Sequence, residues 1–205
     1  MYTFELKEYL NPQENINIIY CVHDMGCRLH THEFAELIFV SEGSCTHFID
    51  GVRYDAAAGD LIFVNYGQTH SFEGNDNLEY YNFLYVPGFF STELISSENI
   101  YDIFEMSLFQ EFGDDRDNCG QMVHFRGNEY LEVKKLAEDM RKEFVRKEIG
   151  YRSVLNGYSR VLFSKMLRRL KGSAVNKEAL SCIGRITAEC LAYIDARCFE
   201  KVTLK

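Results

Sequence analysis

The segment HTHEFAELIFVSEG, His30–Gly43, sets two imidazoles one residue apart and a carboxylate four positions beyond the second. Imidazole nitrogens with a carboxylate oxygen suit one divalent transition metal ion such as Zn, Ni, Mn or Fe. A further imidazole, His70, closes the later run GDLIFVNYGQTH, downstream of a hairpin that can return it to the same end. A centre built from His30, His32, Glu36 and His70 would keep coordination positions open, as metal catalysis requires. The same groups can recognise a small molecule without turning it over. Inward histidines that only hydrogen-bond one another and Glu36, with no metal, are the plainer alternative.

Alternation decides which of these groups can meet. Residues of one parity share a face of a strand. His30, His32 and Glu36 share parity with Ile38 and Val40, so a single strand with at most a regular bend turns all five inward. Arg28 has the same parity; it would pair with Glu36, hold an anionic ligand, or form a plain surface ion pair. His47 can face the same interior from the next strand, whereas His23 and His124 have no partner that the sequence names and read as structural.

The elements around them follow from punctuation. From about Ile16 to Val86, short apolar runs (LIFV, CTHFI, VRY, GDLIFVN, LEYYNFLYV) alternate with turn signals. Asp50-Gly51 between CTHFI and VRY is a two-residue hairpin signal, since both positions tolerate positive φ. Strands at this spacing predict a barrel or double-sheet jelly roll. Pro12 and Pro87 flank the region and leave its strands uninterrupted.

Beyond Phe89 the pattern turns helical. Leu94, Ile103, Phe104 and Leu108 are anchors of a weakly patterned stretch, GDDRDNCGQ reads as a loop, and MVHF as one more short strand. Val133, Leu136, Ala137, Met140 and Phe144 recur at three and four and mark an amphipathic helix to about Ile149, broken at Gly150. Leu155, Tyr158, Leu162, Met166 and Leu170 mark a second, and so short a break implies an antiparallel hairpin. The first stripe has three places to pack: the barrel, the second helix, or another copy. Lys165, Arg168, Arg169 and Lys171 near the end of the second helix complement its dipole and read as solvated. KGSAVNK, 171–177, is a polar linker, and Ile183, Ile186, Cys190, Leu191 and Ile194 form another stripe before the chain stops at KVTLK, the pattern of a domain cut short.

Composition narrows the classes. A chain of 205 residues with 46% hydrophobic content can bury a real core, and its net charge of −9 gives no global attraction to nucleic acid or anionic lipid. The first twenty residues lack the basic-then-apolar pattern of a signal peptide, and no run approaches the roughly 18 apolar residues of a membrane span. Seven cysteines, an odd number without C-x-x-C spacing, read as free thiols in a reducing cytoplasm.

His30-x-His32-x3-Glu36-x6-Gly43 resembles the first motif of the cupin superfamily at every spacing, and Gly59-x5-Asn65-x-Gly67-x2-His70 resembles the second. Asn65 stands where cupins usually have proline, and Gly74 where the motif has asparagine. The resemblance implies a mainly β plus α chain: a cupin-type double-stranded β-helix, or jelly-roll barrel, followed by an antiparallel helical hairpin. Barrel, hairpin, linker and a final stretch RITAECLAYIDARCFEKVTLK together resemble the sensor half of AraC-type transcription regulators. That resemblance implies a cupin effector-binding barrel over 1–90, a helical dimerisation region over 91–171, and over 172–205 a linker with the first helix of a truncated helix-turn-helix domain. It implies a small-molecule effector (sugars being the family-level expectation) and a cytoplasmic homodimer joined through the helices. DNA would be read only by residues missing from this chain, and no membrane is involved. Parity and family likeness together add Phe72, two residues after His70, and Tyr81 and Phe83, which share a face of the last long strand, to Arg28, His30, His32, Glu36, Ile38, Val40 and His70 as candidate ligand-binding residues. Plain core packing is the alternative for each aromatic. No residue is expected to be catalytic on this reading; the alternative function is a cupin metalloenzyme, an isomerase or dioxygenase, using a His/Glu-bound metal.

Overall fold

Among the described residues, ten strands pair into two sheets that face each other, with two long helices laid on the outside of one of them. The structure, a computed structural model, describes residues 2–89 and 121–172. The first sheet has the order β1 (Tyr2–Phe4), β3 (Gly26–His32), β8 (His70–Glu73), β5 (Ser44–Ile49), β6 (Val52–Ala57). The second has the order β10 (Met122–His124), β7 (Asp60–Val64), β4 (Ala35–Glu42), β9 (Glu79–Tyr85), β2 (Ile16–Val22). This is the jelly-roll barrel followed by a helical hairpin that the motifs imply. β10 is the short strand read at MVHF, within the range given to the helical region, and it extends the second sheet beside β7.

Asp50-Gly51 makes the expected tight turn: both residues have positive φ (47° and 80°), and Ile49 pairs directly with Val52. Gly43, which ends the first motif, is a harder constraint. Its φ is +75°, and a Cβ there would stand 2.3 Å from the carbonyl oxygen of Asn77. Gly43→Ala is therefore expected to cost more than about 2 kcal/mol, strain and backbone clash together, whereas Gly51→Ala, with nothing within 4 Å, costs only the left-handed backbone at about 1–2 kcal/mol. Urea midpoints of the two variants check this; equal losses would refute the close approach.

The two sheets differ in their outer faces. β4 is buried at every position from Ala35 to Ser41, because its inner side faces the barrel interior and its outer side faces helices. β6 of the other sheet mixes half-buried and exposed positions as a solvated edge strand does. Helix α2 (Gly127–Arg146) buries Val133, Ala137 and Met140, and helix α3 (Tyr151–Gly172) buries Leu155, Leu162, Phe163 and Met166, all in one cluster with Leu37, Phe39, Tyr81, Phe83 and Tyr85 from the outer face of the second sheet. Leu136, Phe144 and Tyr158 pack half-buried against it. The first stripe thus packs on both the barrel and the second helix.

Ion pairs Glu132–Lys165 and Glu129–Arg169 run between the helices and fix them antiparallel. Two of the four cations near the end of α3 are therefore paired, rather than freely solvated. A short helix, α1 (Leu6–Tyr9), precedes β2. α2 ends at Arg146, with left-handed Lys147 as its cap, a few residues before the expected Ile149. The readings made for 90–120 and for 173–205, including Leu94, Ile103, the stripe from Ile183 and most of the linker, lie outside the described residues, as does the side chain of Leu170.

Candidate functional site

The first motif is two strands, not one. β3 ends at His32, Glu33 and Phe34 turn the corner, and β4 begins at Ala35 in the opposite sheet. Convergence of His32 with Glu36 therefore comes from two sheets facing each other rather than from parity along one strand. His70, at the start of β8, joins them from beside His30 in the first sheet. His32 Nε2 lies 3.8 Å and His70 Nε2 3.6 Å from the same Glu36 oxygen, and one ligand atom from each of the three residues lies within 4.8 Å of the others.

Each group is held from behind. His32 Nδ1 donates to the carbonyl of Phe34, whose ring stacks on the imidazole with centroids 4.8 Å apart. His70 Nδ1 lies 2.9 Å from His47 Nε2. Asn82 Nδ2 donates to the other Glu36 oxygen at 3.2 Å. That leaves His32 Nε2 and His70 Nε2 buried without a hydrogen-bond partner, a costly state for polar atoms. A tetrahedral ion with bonds of about 2.0–2.1 Å separates its donors by about 3.3 Å, so one cation would satisfy all three once the two gaps to Glu36 close by about 0.3–0.5 Å and the widest pair by up to about 1.5 Å. The residues fit a divalent metal.

Burial sets the charge state. It pushes Glu36 up to about 7, against the opposing hydrogen bond from Asn82. It pushes His32 and His47 down to about 4 and lowers His70 and His30 as well. Near neutrality the imidazoles are lone-pair donors, as metal ligation needs.

His30 stands apart from the three. Its Nδ1 donates to the carbonyl of Arg28 at 2.7 Å; its ring is 4.1 Å from that of His70 but 6.2 Å from that of His32. A bulge lies just before it: Cys27 opposes Phe72 and His30 opposes His70, so β3 carries one extra residue there. The bulge breaks the parity of Arg28 with His30. Arg28 is exposed, on neither Glu36 nor the interior, and Cys27 takes the inward place.

A cavity of about 250 Å³ opens beside these groups. Ile38, Val40 and Phe72 line it as expected, with His30, Glu36 and His70. Tyr81 and Phe83 do not. β9 pairs with β4 so that Tyr80 opposes Val40 and Asn82 opposes Ile38, and opposed residues share a face. Tyr80, Asn82 and Leu84 therefore face the cavity, while Tyr81 and Phe83 face the helices. Both faces of β9 are buried, so aromatic content could not tell them apart; only register could. His47 does reach the interior.

The sequence reading missed Asp24, whose carboxylate accepts from Tyr80 at 2.7 Å. It also missed Phe4 and Tyr9, by which the N-terminal residues close one side of the cavity. Cys21, Cys27 and Cys45 line it too, and burial raises all three thiols, Cys45 to about 11. They are protonated wall atoms rather than nucleophiles. His23 and His124 do have partners, the carbonyl of Asp76 and, at 2.7 Å, the carboxylate of Asp60.

Two facing five-stranded sheets around histidines, a glutamate and an enclosed void define a cupin-type barrel. Residues 17–104 match the AraC-like ligand binding domain. The HTH-type transcriptional activator RhaR of Pectobacterium carotovorum subsp. carotovorum is 38% identical over 83 residues, 40% of this chain and 29% of that protein. RhaR of Cronobacter sakazakii is 34% identical over 58 residues, 28% of this chain and 20% of that protein. The chain thus spans less than a third of these relatives. A cupin protein from Bacteroides fragilis aligns with a TM-score of 0.31 at 17% identity, over 36% of this chain and 65% of that one. No described helix is long and apolar enough to cross a membrane.

Proposed function

We propose that this chain is the effector-sensing and dimerising part of a cytoplasmic transcription regulator of the AraC type, with DNA contact made by a segment outside the described residues. The observation that carries the reading is the cavity: polar groups (His30, Glu36, Asn82) gather on one side and apolar ones (Ile38, Val40, Phe72) face them, the usual chemistry of a small-molecule site. At about 250 Å³, it falls just below the roughly 300–1,000 Å³ typical of ligand pockets, which suits a small polar metabolite such as a monosaccharide. Leu131, Val154 and Val161 stay exposed on the hairpin after it has covered the barrel, which supports the helices as the surface for a second copy.

A guest that binds only the folded chain raises its apparent stability, by about 2.7 kcal/mol at a hundredfold excess over Kd, or roughly 5–11 °C for a domain of this size. Melting against a panel of sugars, polyols, organic acids and aromatic metabolites is expected to find such a guest, and Phe72→Ala to abolish its effect. A panel without a single shift would count against the sensor.

The second reading is a cupin metalloenzyme, favoured by the two orphaned imidazole nitrogens on Glu36. His32, Glu36 and His70 would hold the ion, which would supply a Lewis-acid charge and open coordination positions. Stoichiometric metal together with turnover of a panel compound would favour it; metal without turnover fits a sensor that uses its ion for recognition.

A further inference from the structure

We propose that His47 is the positioning residue that decides which nitrogen of His70 faces the cavity, and so whether the His32–Glu36–His70 cluster can take a divalent cation. The inference rests on the reading of those three residues as a metal centre, and it adds a residue that neither motif contains. His47 lies on β5, beside β8, and is 1% exposed. Its Nε2 is 2.9 Å from His70 Nδ1, and the two rings lie nearly parallel, 20° apart with centroids at 5.2 Å.

One proton is shared across that contact, and its placement has two outcomes. If His70 Nδ1–H donates to His47 Nε2, His70 Nε2 carries a lone pair directed at the Glu36 carboxylate. If His47 Nε2–H donates instead, His70 Nε2 carries the hydrogen and cannot ligate. That hydrogen would find Glu36 3.6 Å away, too far for a sound hydrogen bond, so the second arrangement gains nothing in return.

His32 shows the same design with a different support. Its Nδ1 donates to the Phe34 carbonyl, which leaves Nε2 as the lone pair. Ligating histidines commonly donate their second N–H to a fixed acceptor, and loss of that acceptor costs about 10–100-fold in metal affinity. One acceptor here is backbone and beyond substitution. The other is His47.

The test uses the full 205-residue chain, stripped with chelator, and zinc alone as the probe, with affinity measured by competition against a chromophoric chelator. His47→Leu is expected to weaken zinc binding about 10–100-fold, and His47→Gln, whose amide oxygen can accept, to recover most of the loss. Melting of the metal-free variants, run alongside, separates this from unfolding. Long-range proton–nitrogen spectra of zinc-loaded wild type should show His70 protonated on Nδ1. Zinc affinity unchanged in His47→Leu, or His47→Gln as weak as His47→Leu, overturns the role of His47 while the metal centre stands; His70 protonated on Nε2 in the zinc-loaded wild type overturns both. A wild-type chain that takes no zinc overturns the metal centre, and the role of His47 falls with it.

Discussion

Phe83→Ala is expected to lower the melting temperature by roughly 6–20 °C while leaving the affinity of a cavity guest within about twofold. Phe83 is fully buried between the second sheet and the helical hairpin. Truncating such a phenylalanine costs about 3–5 kcal/mol, and each kcal/mol moves the midpoint by about 2–4 °C at this size. Phe72→Ala should behave in the opposite way. Its ring is half-buried against the cavity, so stability should fall little and guest binding should fall sharply. Calorimetry on both variants, with and without a guest, separates the two faces. A Phe83 variant that melts normally and loses its guest would mean that β9 has been assigned to the wrong register.

Acidification from pH 7 to 4.5 is expected to destabilise the metal-free chain by on the order of 5 kcal/mol, at about 1.4 kcal/mol per pH unit of displaced titration. Burial holds His32 and His47 down at about 4, and lowers His70 too. In the unfolded chain these imidazoles take protons near 6.5, so the unfolded state binds more of them across this window. Their contribution is complete above 6.5 and is lost as pH falls towards 4. Glu36 works against them. Raised to about 7 by burial, it binds a proton in the folded state before the unfolded state does, so acidification favours folding through this one group until about 4.5. Three imidazoles against one carboxylate leave a net loss of about two. Glu36→Gln removes the offset and should steepen the decline. Melting curves in chelator from pH 7.5 to 4.5 check this, and a midpoint that stays level or rises on acidification would contradict the burial of the cluster.

Much of the site could be read from spacing alone, because cupin-like geometry depends on a few fixed intervals. His32, Glu36, Ile38, Val40, His70 and Phe72 all reach the interior, and Asp50-Gly51 turns where its backbone preferences demand. What failed did so for local reasons. Parity assumes an unbroken pleat, and the extra residue between Cys27 and His30 turned Arg28 outward while His30 kept its place on the cavity wall. Alternation also needs one wet face. On β9, aromatic residues fall on both faces because helices cover the outside, so no pattern distinguishes Tyr81 from Tyr80. The corner at Glu33–Phe34 left the outcome intact although it broke the assumption behind it, because a two-residue turn carried β4 across to face β3. His47 reaches the interior as expected, but its contact with His70, like the support that Asn82 gives Glu36, could be found only once strand neighbours were known.

β9 is a single thickness of backbone with two clients. Tyr80 and Asn82 touch whatever enters the barrel, and their immediate neighbours Tyr81 and Phe83 seat the hairpin. A guest that shifts the β9 backbone by a fraction of an ångström moves both sets, since successive side chains leave opposite faces of one strand. Chemical preference and mechanical output are therefore hard to redesign apart: a change that retunes this wall for a new compound also alters how firmly the helices sit.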